Sequence, residues 1–188
     1  MKDAIDQVLI TRERLADRID ELAAAISVDY AGKEVVLVGI LKGAVFFMAD
    51  LARRITIPCA LDFMAVSSYG STTDSSGVVR ILKDLDSSIE GRHILIVEDV
   101  IDSGLTLSYL VKSLNARRPA SLEICTLLTK PSRRHAKLAC RYVGFEIPDV
   151  FVVGYGLDLA ESYRTLDFIA TLKPGIEAEA AAREGSLR

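Results

Sequence analysis

Residues 93–107 read His93-Ile94-Leu95-Ile96-Val97-Glu98-Asp99-Val100-Ile101-Asp102-Ser103-Gly104-Leu105-Thr106-Leu107. Residues 94–97 are four apolar residues in a row, three of them β-branched. Such a run predicts a strand buried on both faces, as in a parallel sheet. Beyond the loop, Leu107, Leu110, Val111 and Leu114 recur at i, i+3, i+4 and i+7, one face of a helix. The unit is strand, acidic loop, helix. In open α/β sheets, ligands bind at the carboxyl ends of strands and at helix N-termini.

The loop has two chemical halves. Asp102 to Thr106 lie where the helix starts, where unpaired N–H groups and the positive dipole end are exposed. Gly104 lets the backbone approach a ligand, and Ser103 and Thr106 add hydroxyls, making a cradle for one phosphate monoester. Upstream, Glu98 and Asp99 cannot bind phosphate. Adjacent carboxylates suit sugar hydroxyls or a hard cation. Together the halves suit a sugar phosphate. The patterns Gly-x-x-x-x-Gly-Lys-Ser/Thr and Gly-x-Gly-x-x-Gly, which serve triphosphates and dinucleotides, are absent from the sequence.

Outward from this unit the sequence repeats the theme. Leu15, Ile19, Leu22 and Ile26 space a first helix capped by Thr11. The first buried strand is expected over 34–40, ending in Leu41-Lys42-Gly43, with an apolar helix over 44–54. Residues 59–67 read as the next strand. Residues 67–77 follow, all but two of them Ser, Thr or Gly, and a long loop inside a compact domain reads as a lid. Residues 122–128 form a further strand whose end carries Lys130 to the ligand side. Residues 149–158 are expected to be a last strand and loop. The cluster Arg133, Arg134, His135 and Lys137 reads as solvated surface. Strands alternating with helices predict a mostly parallel sheet.

The 188 residues fit one domain, placed at 1–175, with an Ala/Glu-rich tail at 176–188 that reads as flexible or a frayed helix. A net charge of −3 carries no nucleic-acid footprint, and no apolar run reaches membrane-spanning length. The N-terminus has no signal-peptide core, and Cys59, Cys125 and Cys140 fit buried thiols in a reducing cytoplasm.

Residues 97–106, Val-Glu-Asp-Val-Ile-Asp-Ser-Gly-x-Thr, resemble the phosphoribosyl pyrophosphate signature of the type I phosphoribosyltransferases. From Leu9 to Leu172 the sequence is similar to the hypoxanthine (hypoxanthine-guanine) branch of that family. The likeness rests on Leu41-Lys42-Gly43, Ser68-Tyr69-Gly70, the Glu98–Thr106 loop, and Lys130 with Phe151-Val152-Val153-Gly154-Tyr155, Asp158 and Arg164. The resemblance implies a mostly parallel twisted sheet with helices on both faces, plus a small hood built from chain-terminal segments. It implies transfer of the 5-phosphoribosyl group from phosphoribosyl pyrophosphate to hypoxanthine or guanine, giving IMP or GMP and pyrophosphate with Mg²⁺.

The family's roles carry over residue by residue. Leu41, Lys42 and Gly43 become the pyrophosphate loop, whose first peptide bond can be cis in that family. Ser68 and Tyr69 fall on its catalytic flexible loop. Asp102, Ser103, Gly104, Leu105 and Thr106 hold the 5′-phosphate, and Glu98 and Asp99 the ribose diol, directly or through magnesium. Asp158 takes a second magnesium through water, and Arg164 assists pyrophosphate. Asp102 is the candidate general base at purine N7. Lys130, a donor-only ammonium, selects a 6-oxo group over the 6-amino group of adenine. Phe151 stacks on the purine, and the backbone carbonyl of Val152 meets the ring edge. Some members carry a lysine where this sequence has Leu105, so phosphate affinity here rests more on backbone groups. Family members form homodimers or homotetramers, and no nucleic-acid or membrane partner is expected. Two other readings stand beside this one. The first is a same-fold enzyme using xanthine or a pyrimidine. The second is a regulator that senses phosphoribosyl pyrophosphate and binds nucleic acid.

Overall fold

In the computed structural model, which describes residues 2–68, 79–133, 138–178 and 180, β2 (Val35–Leu41) lies at the middle of a six-stranded sheet. Its parallel neighbours are β3 (Cys59–Ser68) and β5 (His93–Ile101). β6 (Ser121–Thr129) and β7 (Tyr142–Glu146) continue the parallel run, and β4 (Val79–Lys83) closes the far edge antiparallel to β3. The strand order is β4-β3-β2-β5-β6-β7. From β2 the backbone first builds toward β3 and β4, then returns to add β5 and its successors on the other side. The order therefore reverses between β2 and β5, and that switch point is where ligands bind in such sheets.

Strand alternation sorts the core into two faces. Val35, Leu37, Leu95, Val97, Cys125 and Leu127 pack with α1 (Arg12–Asp29) and α2 (Val45–Arg54). Val36, Val38, Ile40, Ile94, Ile96 and Ile124 pack with Leu107, Leu110 and Leu114 of α3 (Leu105–Asn115). Helices thus cover both faces, as expected. Thr11 caps α1, its Oγ1 accepting from the Arg14 N–H at 3.4 Å. Val111 of α3 is only partly buried.

The first buried strand stands as β2, and the terminal segments add a separate two-stranded sheet, β1 (Ile5–Ile10) antiparallel to β8 (Ile169–Leu172), where the resemblance implied a hood. The largely exposed IDQVLI of β1 gives no buried-strand pattern to read. Three expectations are corrected. Residues 149–158 are not a strand. Val152 and Val153 are buried, but the backbone there turns through Gly154 (φ +100°), Tyr155 (φ +49°) and Gly156 (φ +103°) and makes only isolated bridges, including Val153 to Ala170. The sheet's last strand is β7 instead. β5 runs on to Ile101, so Glu98 and Asp99 belong to a strand end rather than to a loop. Cys125 is buried, whereas Cys59 and Cys140 are only half-buried. Of the expected lid, Ser67 and Ser68 end β3, and Tyr69 to Gly77 lie outside the described residues. The tail begins as helix at 176–178, and 181–188 lie outside the described residues.

Candidate active site

Parallel pairing sets the strand ends side by side. Gly39 pairs with Val97, so Leu41-Lys42-Gly43, leaving β2, runs beside Glu98 and Asp99 at the end of β5. Ile101 pairs with Thr129, and the Lys130 N–H donates to Ile101 O at 3.0 Å. Three strand ends thus converge at the switch point.

The turn after β5 leads directly into α3. Gly104, with φ +77°, is the N-cap and brings no side-chain cap. A left-handed residue is needed there, and glycine takes that shape without steric cost. The Ser103 hydroxyl reaches the Leu105 N–H only at 3.4 Å. The first-turn N–H groups of α3 are therefore available to an anion. Glu98, Asp102, Ser103, Gly104 and Thr106 line a cavity of about 170 Å³ over this helix end. Leu105 is the first helical residue, partly exposed.

Two buried carboxylate oxygens in this cavity, Glu98 Oε2 and Asp102 Oδ1, have no hydrogen-bond partner among the described residues. Burial, reinforced by the charge of Asp99, holds the Glu98 carboxyl well above the usual carboxylate range. Burial raises Asp99 to about 6, with Asp158 adding to the shift. The Val100 N–H at 2.8 Å and the Arg164 charge oppose it. An unpaired buried carboxylate is costly in water-free surroundings. Glu98 lines the cavity and Asp99 faces Gly43 and Arg164, and each buried acid is a receptor for a hydroxyl donor or a cation.

A second cluster lies against Asp99. A Cβ on Gly43 would meet Asp99 Oδ2 at 1.6 Å, and a Cβ on Gly156 would meet Gly43 O at 2.0 Å. Only glycine permits these approaches. The Leu41–Lys42 peptide bond is cis. Arg164 Nη1 donates to Gly156 O at 2.7 Å and Nη2 pairs with Asp158 Oδ1 at 2.8 Å. Asp158 Oδ2 accepts from the Glu161 N–H at 2.8 Å. Glu161 pairs with Lys42 Nζ at 3.0 Å.

The third grouping ties Asp102 to Lys130. Arg133 Nε stands 2.7 Å from Asp102 Oδ1, without the N–H alignment of a hydrogen bond. Arg133 Nη1 donates to Asp149 Oδ1 at 3.5 Å, and the same oxygen is 4.0 Å from Lys130 Nζ. Lys130 is 8% exposed, Phe151 38%, and Val152 is buried. Arg133 is therefore not simply solvated surface, as its basic run implied. It bridges two acids. Arg134, His135 and Lys137 lie outside the described residues, as does Tyr69, and Ser68 is placed only as the end of β3.

Sequence reasoning missed Glu161, Asp149, Arg133 and Gly156 as site residues. Glu161 sits three residues before Arg164 and three after Asp158, a spacing that gave a usable signal. Asp149 gave none. Among the described residues no cluster of three or more His, Cys, Asp or Glu side groups is arranged to hold a metal ion. Magnesium does not need one. It keeps several waters and is held by one or two carboxylates plus substrate phosphates.

Comparison with known proteins agrees with this geometry. A family model, the phosphoribosyl transferase domain, matches residues 6–160. A hypoxanthine-guanine phosphoribosyltransferase of Mycobacterium bovis is 56% identical over 178 residues, 92% of this protein and 88% of that one. One of Bacillus subtilis is 53% identical over 176 residues, 94% of this protein and 98% of that one. The crystal structure of a Staphylococcus aureus hypoxanthine phosphoribosyltransferase superposes with a TM-score of 0.91 at 50% identity, covering 94% of this protein and 96% of that one. With a switch-point site in the expected strand-loop-helix unit and relatives alike over nearly their whole length, the chain belongs to the phosphoribosyltransferase family, in its hypoxanthine-guanine branch.

Proposed function

We propose that this protein transfers the 5-phosphoribosyl group of phosphoribosyl pyrophosphate to hypoxanthine or guanine, releasing pyrophosphate. The observation that carries the reading is the buried Glu98 Oε2, without a hydrogen-bond partner among the described residues, over the open N-terminus of α3. At about 170 Å³ the cavity is smaller than a drug-sized pocket, about 300–1,000 Å³. A single pentose phosphate matches that scale.

In this reading the N–H groups of the first turn of α3 and the hydroxyls of Ser103 and Thr106 bind the 5′-phosphate. Glu98 and Asp99 take the ribose hydroxyls. Bond cleavage builds positive charge at the anomeric carbon, as in glycoside chemistry, and nearby carboxylates favour it. Lys42 and Arg164 receive the departing pyrophosphate. Glu98 and Asp99 would hold one Mg²⁺ and Asp158 a second through water, and the ions would supply neutralisation of the diphosphate charge. Asp102 accepts the N7 proton of the incoming base. A carboxylate is a weak base toward an imidazole-type N–H, so positioning carries much of its contribution. Arg133, whose Nε stands 2.7 Å from Asp102 Oδ1, must yield that oxygen to the purine. Lys130 donates to the 6-oxo group, Phe151 offers its exposed ring for stacking, and the Val152 carbonyl meets the ring edge.

The proposal extends to a cytoplasmic setting and to a homodimer or homotetramer. Exposed Val45 and Phe46, at the start of α2, are the apolar surface a second copy would cover. No helix among the described residues is long and apolar enough to cross a membrane.

Steady-state turnover with hypoxanthine, guanine, xanthine and adenine, each with and without Mg²⁺, tests the reading. Hypoxanthine and guanine are used, and activity requires the ion. Efficient use of adenine, or none of the four, overturns it.

A further inference from the structure

Glu161 ties together the two cations that the proposed reaction assigns to pyrophosphate. Oε1 accepts from Lys42 Nζ at 3.0 Å, and Oε2 accepts from Arg164 Nη2 at 3.5 Å. Arg164 Nε, also 3.5 Å from Oε2, is buried and lacks a hydrogen-bond partner among the described residues. One carboxylate thus spans two loops, one leaving β2 and one more than a hundred residues later in the sequence. A carboxylate bound to an ammonium and a guanidinium has the same donor requirement as a diphosphate oxygen pair.

The backbone fixes this placement. Ala160 (φ +50°), Glu161 (φ +60°) and Tyr163 (φ +73°) are all left-handed, a shape non-glycine residues keep only where their surroundings enforce it. The Glu161 N–H is anchored on Asp158 Oδ2 at 2.8 Å. The side chains of Glu161 and Lys42 remain 64% and 66% exposed, so an incoming anion reaches the pair without unburying it.

We propose that Glu161 is a built-in competitor for pyrophosphate. Its carboxylate pairs with Lys42 at 3.0 Å and reaches Arg164 at 3.5 Å, beside the closer Asp158 pair at 2.8 Å, and gives both cations up to the diphosphate oxygens. The two anions share one set of donors, so Glu161 weakens the hold on pyrophosphate and speeds its release. Glu161 acts through Lys42 and Arg164 and is in that sense a positioning residue. The inference rests on the function proposed above.

Its sign separates it from a merely structural role. A prop that aligns Lys42 and Arg164 weakens pyrophosphate binding when removed, whereas a competitor strengthens it. The test is calorimetric titration of magnesium pyrophosphate into the full-length wild type, Glu161→Gln and Glu161→Asp, paired with product inhibition against phosphoribosyl pyrophosphate. Exposed ion pairs are individually weak, so Glu161→Gln is expected to lower the Kd of pyrophosphate about two- to five-fold. Glu161→Asp, still charged, returns it toward wild type. Should Glu161→Gln melt below the assay temperature, Glu161→Ser is read by the same criterion. An unchanged or raised Kd in the neutral variant overturns the inference and leaves the functional reading intact. If pyrophosphate fails to compete with phosphoribosyl pyrophosphate in every protein, both fall together.

Discussion

Substituting Gly43 by alanine probes the packing between the two loops that close the site. The added methyl would lie 1.6 Å from Asp99 Oδ2 and 2.5 Å from its Cγ. A relaxed carbon–oxygen contact is about 3.3 Å, so the two groups must separate by about 1.7 Å. The glycine loop cannot simply back away, because Gly43 O already rests where any Cβ on Gly156 would fall. Asp99 is the group that moves. A displacement of about 1 Å at a reacting centre costs about 100-fold in rate. We therefore expect kcat/KM for phosphoribosyl pyrophosphate to fall about 100-fold or more. Overpacking costs about 1–3 kcal/mol. For a protein of this length each kcal/mol is worth about 2–4 °C, so Tm drops by about 2–12 °C. Gly32→Ala is the matched control. Gly32 has φ +75° and nothing within 4 Å of its missing Cβ. It loses about 1–2 kcal/mol to the left-handed backbone alone, with kcat/KM unchanged. Steady-state kinetics and thermal melts read both. Gly43→Ala with wild-type kcat/KM refutes the reasoning, as does an equal activity loss in Gly32→Ala.

Three further outcomes are expected. Asp102→Ala lowers kcat about 10²- to 10⁴-fold while Tm stays close to wild type, since the side chain is 44% exposed; near-normal turnover removes the general-base assignment. Lys130→Ala, which deletes a nearly buried ammonium, lowers kcat/KM for hypoxanthine about 10- to 100-fold and leaves adenine little changed. A preserved hypoxanthine-to-adenine ratio rules that role out. The Asp99 carboxyl, raised from 3.8 to about 6, contributes stability that is complete below about pH 3.8 and lost as the pH rises through about 6. The ligand has the opposite preference, because ribose hydroxyls donate to the ionised acid. Affinity for phosphoribosyl pyrophosphate accordingly falls as the pH drops below about 6, and calorimetry between pH 7 and 5 showing a constant Kd would contradict this.

What the sequence discloses in one dimension follows from where its physics is local. The run at 94–97, the helical spacing of Leu107, Leu110 and Leu114, and the turn glycine at 104 each carry their own signature, and all three stand where expected. The acids at 98 and 99 were legible as chemistry but not as strand, because a parallel strand's end is set by its neighbours β2 and β6. β1 and β8 pair across nearly the whole sequence, a contact with no local signal. The apolar run Phe151-Val152-Val153 resembles a strand, yet three positive-φ residues at 154–156 fold it back into the site. Arg133 looked like one member of a surface basic run. Its partners Asp102 and Asp149 lie on different loops, so only the folded protein reveals the bridge.

The central claim is that one sugar phosphate lies over the α3 N-terminus with its hydroxyls against the acids that end β5. A crystal structure with ribose 5-phosphate or phosphoribosyl pyrophosphate bound measures it directly. The 5′-phosphate is expected on the backbone N–H groups of residues 103–107, with the diol beside Glu98 and Asp99. A phosphate seated elsewhere, or a sugar out of reach of both acids, contradicts the account.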